Sequence, residues 1–158
     1  MTYRSGLTVP ASGDAASSGS NDIRWLLDSF AGQTSGVTHA VIIALDGLQL
    51  AYAGDVGLDL ADQLAACTAG LLSLANQCGS LLGSGSTEHV TVRFGDGHLL
   101  CMRIGHTAGL MVAAAPGSDL RVLAYAMSQF VTSVAHVLAP PRREPSHPAA
   151  DHRNNVGM

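Results

Sequence analysis

From Asp59 to Leu82 the apolar residues Leu60, Leu64, Cys67, Leu71, Leu74, Cys78 and Leu81 recur at alternating spacings of four and three. That spacing predicts one long amphipathic helix. Beside the stripe runs a flank of mostly small residues: Ala61, Ala65, Thr68, Leu72, Ala75 and Gly79. The larger stripe is expected to sit on a sheet, and the small flank to admit a second helix at close range. Gly83-Ser84-Gly85-Ser86 ends the helix.

The rest of the chain supplies the sheet. Asn21 is the expected cap of a first helix carrying Ile23, Leu26, Leu27 and Phe30 at helical spacing. Val37 to Leu45 is apolar on both faces, as a strand covered on two sides should be. Asp46-Gly47 predicts a type I′ hairpin turn, with positive φ at both residues, into a strand at Leu48–Ala53. After the long helix come strands at Glu88–Phe94, His98–Ile104 and Ala108–Ala115. The first alternates polar and apolar residues and reads as an edge; the last is apolar throughout and reads as central. Ser118 then caps a final helix bearing Leu120, Leu123, Met127, Phe130, Val134 and Leu138. The order αββαβββα implies a mostly antiparallel sheet with helices on both faces, in the α/β (α+β) class.

Residues 1–20 and 140–158 are rich in Ser, Gly, Ala or Pro and lack an apolar period, so both are expected to be disordered tails around a domain at 21–139. Within 158 residues, 23 are Ala, none is Lys, and eight Arg oppose twelve acids for a formal charge of −4. Nucleic-acid binding needs concentrated cationic surface, which is missing here. No unbroken apolar run approaches the roughly 20 residues of a membrane span, and the N-terminal segment has no signal-peptide core. Three cysteines without metal spacing fit a reducing compartment, so a cytoplasmic location is expected, with any membrane recruitment through a partner.

A search for chemistry returns nothing. There is no phosphate-binding loop, and Gly83–Ser86 follows a helix where an anion site should precede one. The histidines show no HxH, HxxxH or HExxH spacing. A two-residue turn at Gly95-Asp96 would set Arg93 opposite His98 and His89 opposite Met102, with Glu88 facing Arg103 as an ordinary cross-strand pair. Cys67 and Cys78 read as small buried hydrophobes, and Trp25 as a partly buried packing residue. No catalytic, metal or cofactor-binding residue is assigned, and no cofactor is expected.

Trp25-Leu26-Leu27-Asp28-Ser29-Phe30, Gly36-Val37-Thr38-His39-Ala40-Val41, Asp46-Gly47-Leu48, Ala61-Asp62-Gln63-Leu64-Ala65-Ala66 and Gly70-Leu71-Leu72-Ser73-Leu74 together resemble the bacterial roadblock (dynein light chain roadblock-type) family, in its actinobacterial form. The resemblance spans about Asp22 to Leu138. It implies a five-stranded antiparallel sheet with the long helix on one face and the terminal helices on the other. It further implies a non-catalytic adaptor, homodimeric through the long helix and the neighbouring edge strand. The implied partners are a Ras-like small GTPase and a sensor-kinase-like protein encoded nearby. The expected dimer interface is Ala65, Thr68 and Leu72 with Val90, Thr91 and Val92, so Ala65→Arg should separate the protomers. A rival reading, a small-molecule sensor of similar α/β/α shape, needs a polar-lined pocket that the aliphatic strands do not offer.

Overall fold

The computed structural model describes residues 14–139, with side chains from residue 19 onward. Residues 1–13 and 140–158, read above as tails, lie outside the described residues. The elements are α1 (Asp14–Gln33), β1 (Val37–Ala44), β2 (Gln49–Gly54), α2 (Leu58–Leu81), β3 (His89–Phe94), β4 (Gly97–Ile104), β5 (Ala108–Ala114) and α3 (Leu120–Leu138). All pairings are antiparallel and the strand order is β2-β1-β5-β4-β3. The apolar β5 is therefore central and the alternating β3 is an edge, as their patterns require.

Helix α1 starts at Asp14, so Asn21 is not its cap and Asn21 and Asp22 lie exposed within it. Once the amphipathic turn around Ile23–Phe30 is nucleated, each residue added upstream gains a hydrogen bond, and no proline intervenes. The cap of α3 also moves by one residue. The Asp119 carboxylate accepts from the backbone N–H groups of Arg121 (2.9 Å) and Val122 (3.3 Å), while the Ser118 hydroxyl donates to Ala115 O at 2.7 Å.

The β1–β2 turn is not type I′. Its only positive φ is at Gly47 (+97°), and the Gly47 N–H donates to Ala44 O at 2.9 Å. A type I turn followed by a left-handed glycine describes it, the three-residue alternative that an Asp-Gly pair also serves. By contrast, Gly95-Asp96 does form a two-residue turn, giving Arg93 opposite His98 and His89 opposite Met102 as the spacing requires.

Two cores flank the sheet and differ in size. On one face Ile23, Leu27 and Phe30 of α1 and Leu123, Met127, Phe130 and Val134 of α3 cover Ala40, Ile42, Leu100, Leu110 and Val112. The Phe30 and Phe130 rings meet with centroids 4.7 Å apart. On the other face α2 alone covers the sheet, over a smaller apolar cluster of Val41, Ile43, Ala65, Leu72, Cys101 and Met111.

The face of α2 that makes this contact is the reverse of the one expected. Ala61, Ala65, Thr68 and Leu72 are the buried row, each at most 1% exposed. Both rows repeat at four-and-three spacing, so periodicity alone does not choose between them. Size does. The strands already project Val41, Ile43 and Met111 toward α2, and a row of small side chains interdigitates with them at normal packing density. Gly109 completes the fit, because a Cβ there would lie 2.8 Å from Leu72 Cδ1.

Candidate interaction surface

Because the small row faces inward, the larger row faces out. Leu60, Cys67, Leu74, Cys78 and Leu81 are exposed, Leu74 at 62% and Leu81 at 87%, while Leu64 and Leu71 are half-buried at the helix margin. Cys67 and Cys78 are accordingly surface thiols rather than core residues. Ala65, Thr68 and Leu72, assigned above to a dimer interface, are buried against their own sheet. Exposure of the stripe runs against the rule that a helix buries its largest apolar residues. The signal available in the sequence was the bulk of the strands beneath it.

Strand β3 borders this surface. Val90 pairs with Cys101 and Val92 with Leu99, so both point to the α2 side and are half-buried. Thr91 points to the opposite side and is exposed. The outer edge of β3 pairs with no other strand among the described residues. By length and composition α2 is apolar enough to cross a membrane, against the expectation from unbroken apolar runs. Both its outward stripe and its inner row are largely apolar, and the inner row packs on the sheet of the domain.

The titratable groups do not converge. Among the described residues no group of three His, Cys, Asp or Glu is placed to hold a metal ion. His39 and His98 each bury an unpartnered Nδ1, but His39 alternates with Val41 on the α2 side and His98 with Leu100 on the other. Glu88 falls before β3, is exposed and forms no ion pair with Arg103 among the described residues. Arg103 instead donates to His106 O at 3.4 Å. Arg24 lies over the Tyr52 ring, 5.0 Å from its centroid. Trp25 is 67% exposed on the outer side of α1, not packed as expected, and Tyr125 is 69% exposed on α3.

Burial pushes the Cys101 thiol up to about 11, opposed by its side-chain hydrogen bond with Thr68, whose one hydroxyl proton goes to Leu64 O at 2.7 Å. The neutral thiol is thus an inert part of the core. Two outcomes follow. Under native conditions at pH 8, an alkylating reagent should modify Cys78 and spare Cys101, as read by peptide mass mapping. A pKa raised on folding also means that stability is complete below about pH 9 and declines as the pH rises through 11. That loss amounts to about 2–3 kcal/mol, measurable by urea unfolding of wild type against Cys101→Ala.

Four open surface hollows among the described residues hold between about 180 and 370 Å³. Among the described residues the largest uncovered apolar feature of α2 is its leucine row, which lies beside an unpaired strand edge.

A model of the Roadblock/LC7 domain matches residues 23–114, more than half of the chain. A Roadblock/LC7 domain from Streptomyces avermitilis is 32% identical, covers 73% of this chain and 96% of its own, and superposes with a TM-score of 0.70. The chain belongs to the Roadblock/LC7 family. Its five-stranded antiparallel sheet, with α2 on one face and α1 and α3 on the other, is the roadblock arrangement. Myxococcus xanthus MglB is similar in fold at 15% identity and TM-score 0.68, covering 73% of this chain and 94% of its own. Acanthamoeba castellanii profilin II shares the fold more loosely, at 18% identity and TM-score 0.52 over 72% of this chain and 96% of its own. No curated protein matches the sequence significantly. In this roadblock domain the departures from expectation that bear on its surface are the rotation of α2 and the composition of its outer face.

Proposed function

We propose that this roadblock domain is a non-catalytic adaptor that forms a homodimer through α2 and β3 and regulates a Ras-like small GTPase in a bacterial signalling system. The observation that carries the reading is the outward leucine–cysteine row of α2 beside the open edge of β3. A two-fold axis perpendicular to the sheet would pair β3 with its copy and bring both α2 helices to the same face, antiparallel and side by side. The interface residues are then Leu60, Leu64, Cys67, Leu71 and Leu74 with Val90, Thr91 and Val92. Ala65, Thr68 and Leu72 act only indirectly, by setting the rotation of α2.

Family membership and the sequence resemblance support the choice of partner. A sensor-kinase-like protein encoded nearby is the third component in this reading. The adaptor acts by binding one nucleotide state of the GTPase better than the other, since a partner moves an equilibrium only by its differential affinity. None of Arg24, Arg93, Arg103 and Arg121 sits on an extended loop, so no arginine finger is assigned.

The test uses the purified full chain and Ras-like GTPases encoded beside it, each loaded with GDP or a non-hydrolysable GTP analogue. Binding that differs between the two states by at least about fivefold is expected, the usual lower range of such coupling. Absence of binding in both states overturns the partner assignment. Binding with unchanged hydrolysis makes the role scaffolding, and faster hydrolysis makes it activation.

A further inference from the structure

On the flank of α2 away from Leu64 and Leu71, the helix and the end of β4 enclose a hollow of about 180 Å³ lined by Ser73, Asn76, Gln77 and Arg103 over Leu45 and Leu72. We infer that this hollow receives an Asp or Glu side chain of the docked protein partner, with Arg103 as its counter-ion. The inference rests on the adaptor reading and adds the chemistry of one contact to it.

Four observations converge. The chain has no charged residue from Gln63 to Thr87, so Arg103 is the one charged lining group of the hollow. Its guanidinium bonds only to a backbone carbonyl at 3.4 Å and is paired with no carboxylate among the described residues. A guanidinium holds five donors in a planar fork matched to a carboxylate, and most of these stay unused. Finally, Asn76 makes no side-chain hydrogen bond among the described residues, and Gln77 makes one, to Ser73 Oγ at 3.3 Å. Neutral donors therefore flank the cation.

One positive charge with neutral amides suits a monoanion. A phosphate dianion would call for more positive charge, and the C-terminal half of a helix contributes none. The hollow holds the tip of a side chain and little more, so a free metabolite would gain few contacts there. A side chain on a docked protein draws the remaining affinity from the surrounding surface. Successive helical positions put Ser73 and Asn76 on one side of the buried row and Leu64, Leu71 and Cys78 on the other. A second copy covering the leucine row leaves the hollow open.

The probe is N-acetyl-glutamate amide, titrated into the ¹⁵N-labelled full chain at matched sodium chloride, with N-acetyl-glutamine amide as the neutral control. Saturable shifts of the Arg103 Nε–H and Asn76 amide signals are expected at millimolar carboxylate, with none from the control. Arg103→Gln should weaken binding at least tenfold, and Arg93→Gln should not change it. Equal, non-saturating shifts at Arg93 and Arg103 overturn the inference. So does binding that appears only in Glu88→Gln, which would mean that Glu88 fills the hollow. With the GTPase, Arg103→Glu should lower affinity at least tenfold while leaving the oligomer's mass unchanged. If that variant instead dissociates the oligomer, the carboxylate comes from a second copy and the partner assignment of the hollow fails. Failure to bind any GTPase, with the glutamate titration intact, would count against the adaptor reading and not against the hollow.

Discussion

Ala65→Arg should unfold the domain rather than separate two protomers. Ala65 is fully buried between α2 and the sheet, in a cluster with Val41, Ile43, Cys101 and Met111. A guanidinium placed there meets no carboxylate among the described residues, and its volume would lift the helix off the strands. An unpaired buried charge costs several kcal/mol, overpacking adds about 1–3, and a domain of this size has roughly 5–15 in total. We expect a loss of more than about 4 kcal/mol, read by urea unfolding, or a chain that is recovered only as aggregate. A folded, monomeric Ala65→Arg protein would restore the small row to the outer surface and refute the rotation of α2 described here.

The converse experiment is Cys67→Asp combined with Leu74→Asp. Both positions are exposed and lie two turns apart on the outward row, so the isolated protomer should lose only the modest helix propensity of Asp, about 0.5 kcal/mol per site. In the proposed two-fold pairing the same changes bring four carboxylates into an apolar seam. Light scattering at micromolar concentration should then give the mass of one chain, with dimer affinity lowered by about a thousandfold, equivalent to about 4 kcal/mol. Urea unfolding should be nearly unchanged once the contribution of dimerisation is allowed for. Wild type that is already monomeric would refute the dimer. A double variant that stays dimeric would refute the role of the leucine row.

These two variants separate what could be read along the chain from what needed three dimensions. The order of elements was legible because each carries a local period: two for β3, about 3.6 for α1, α2 and α3, and none for the doubly covered β1 and β5. The β3–β4 register was legible too, since a two-residue turn leaves one way to pair the strands. The family resemblance rests on the same local signals taken in order. Failures occurred where two local solutions had similar cost. Asp46-Gly47 serves either a type I′ turn or a type I turn with a left-handed glycine, and positive φ at Gly47 alone marks the second. The rotation of α2 is less legible still, because adjacent rows both repeat at four and three. Only the volumes projecting from the strands, and the missing side chain at Gly109, decide which row turns inward. That choice leaves a row of leucines and thiols uncovered and forms a hollow beside Arg103. Local sequence determines which helices and strands exist; the space between packed layers determines which of their faces remain for a partner, because volume must be filled on both sides of a contact at once.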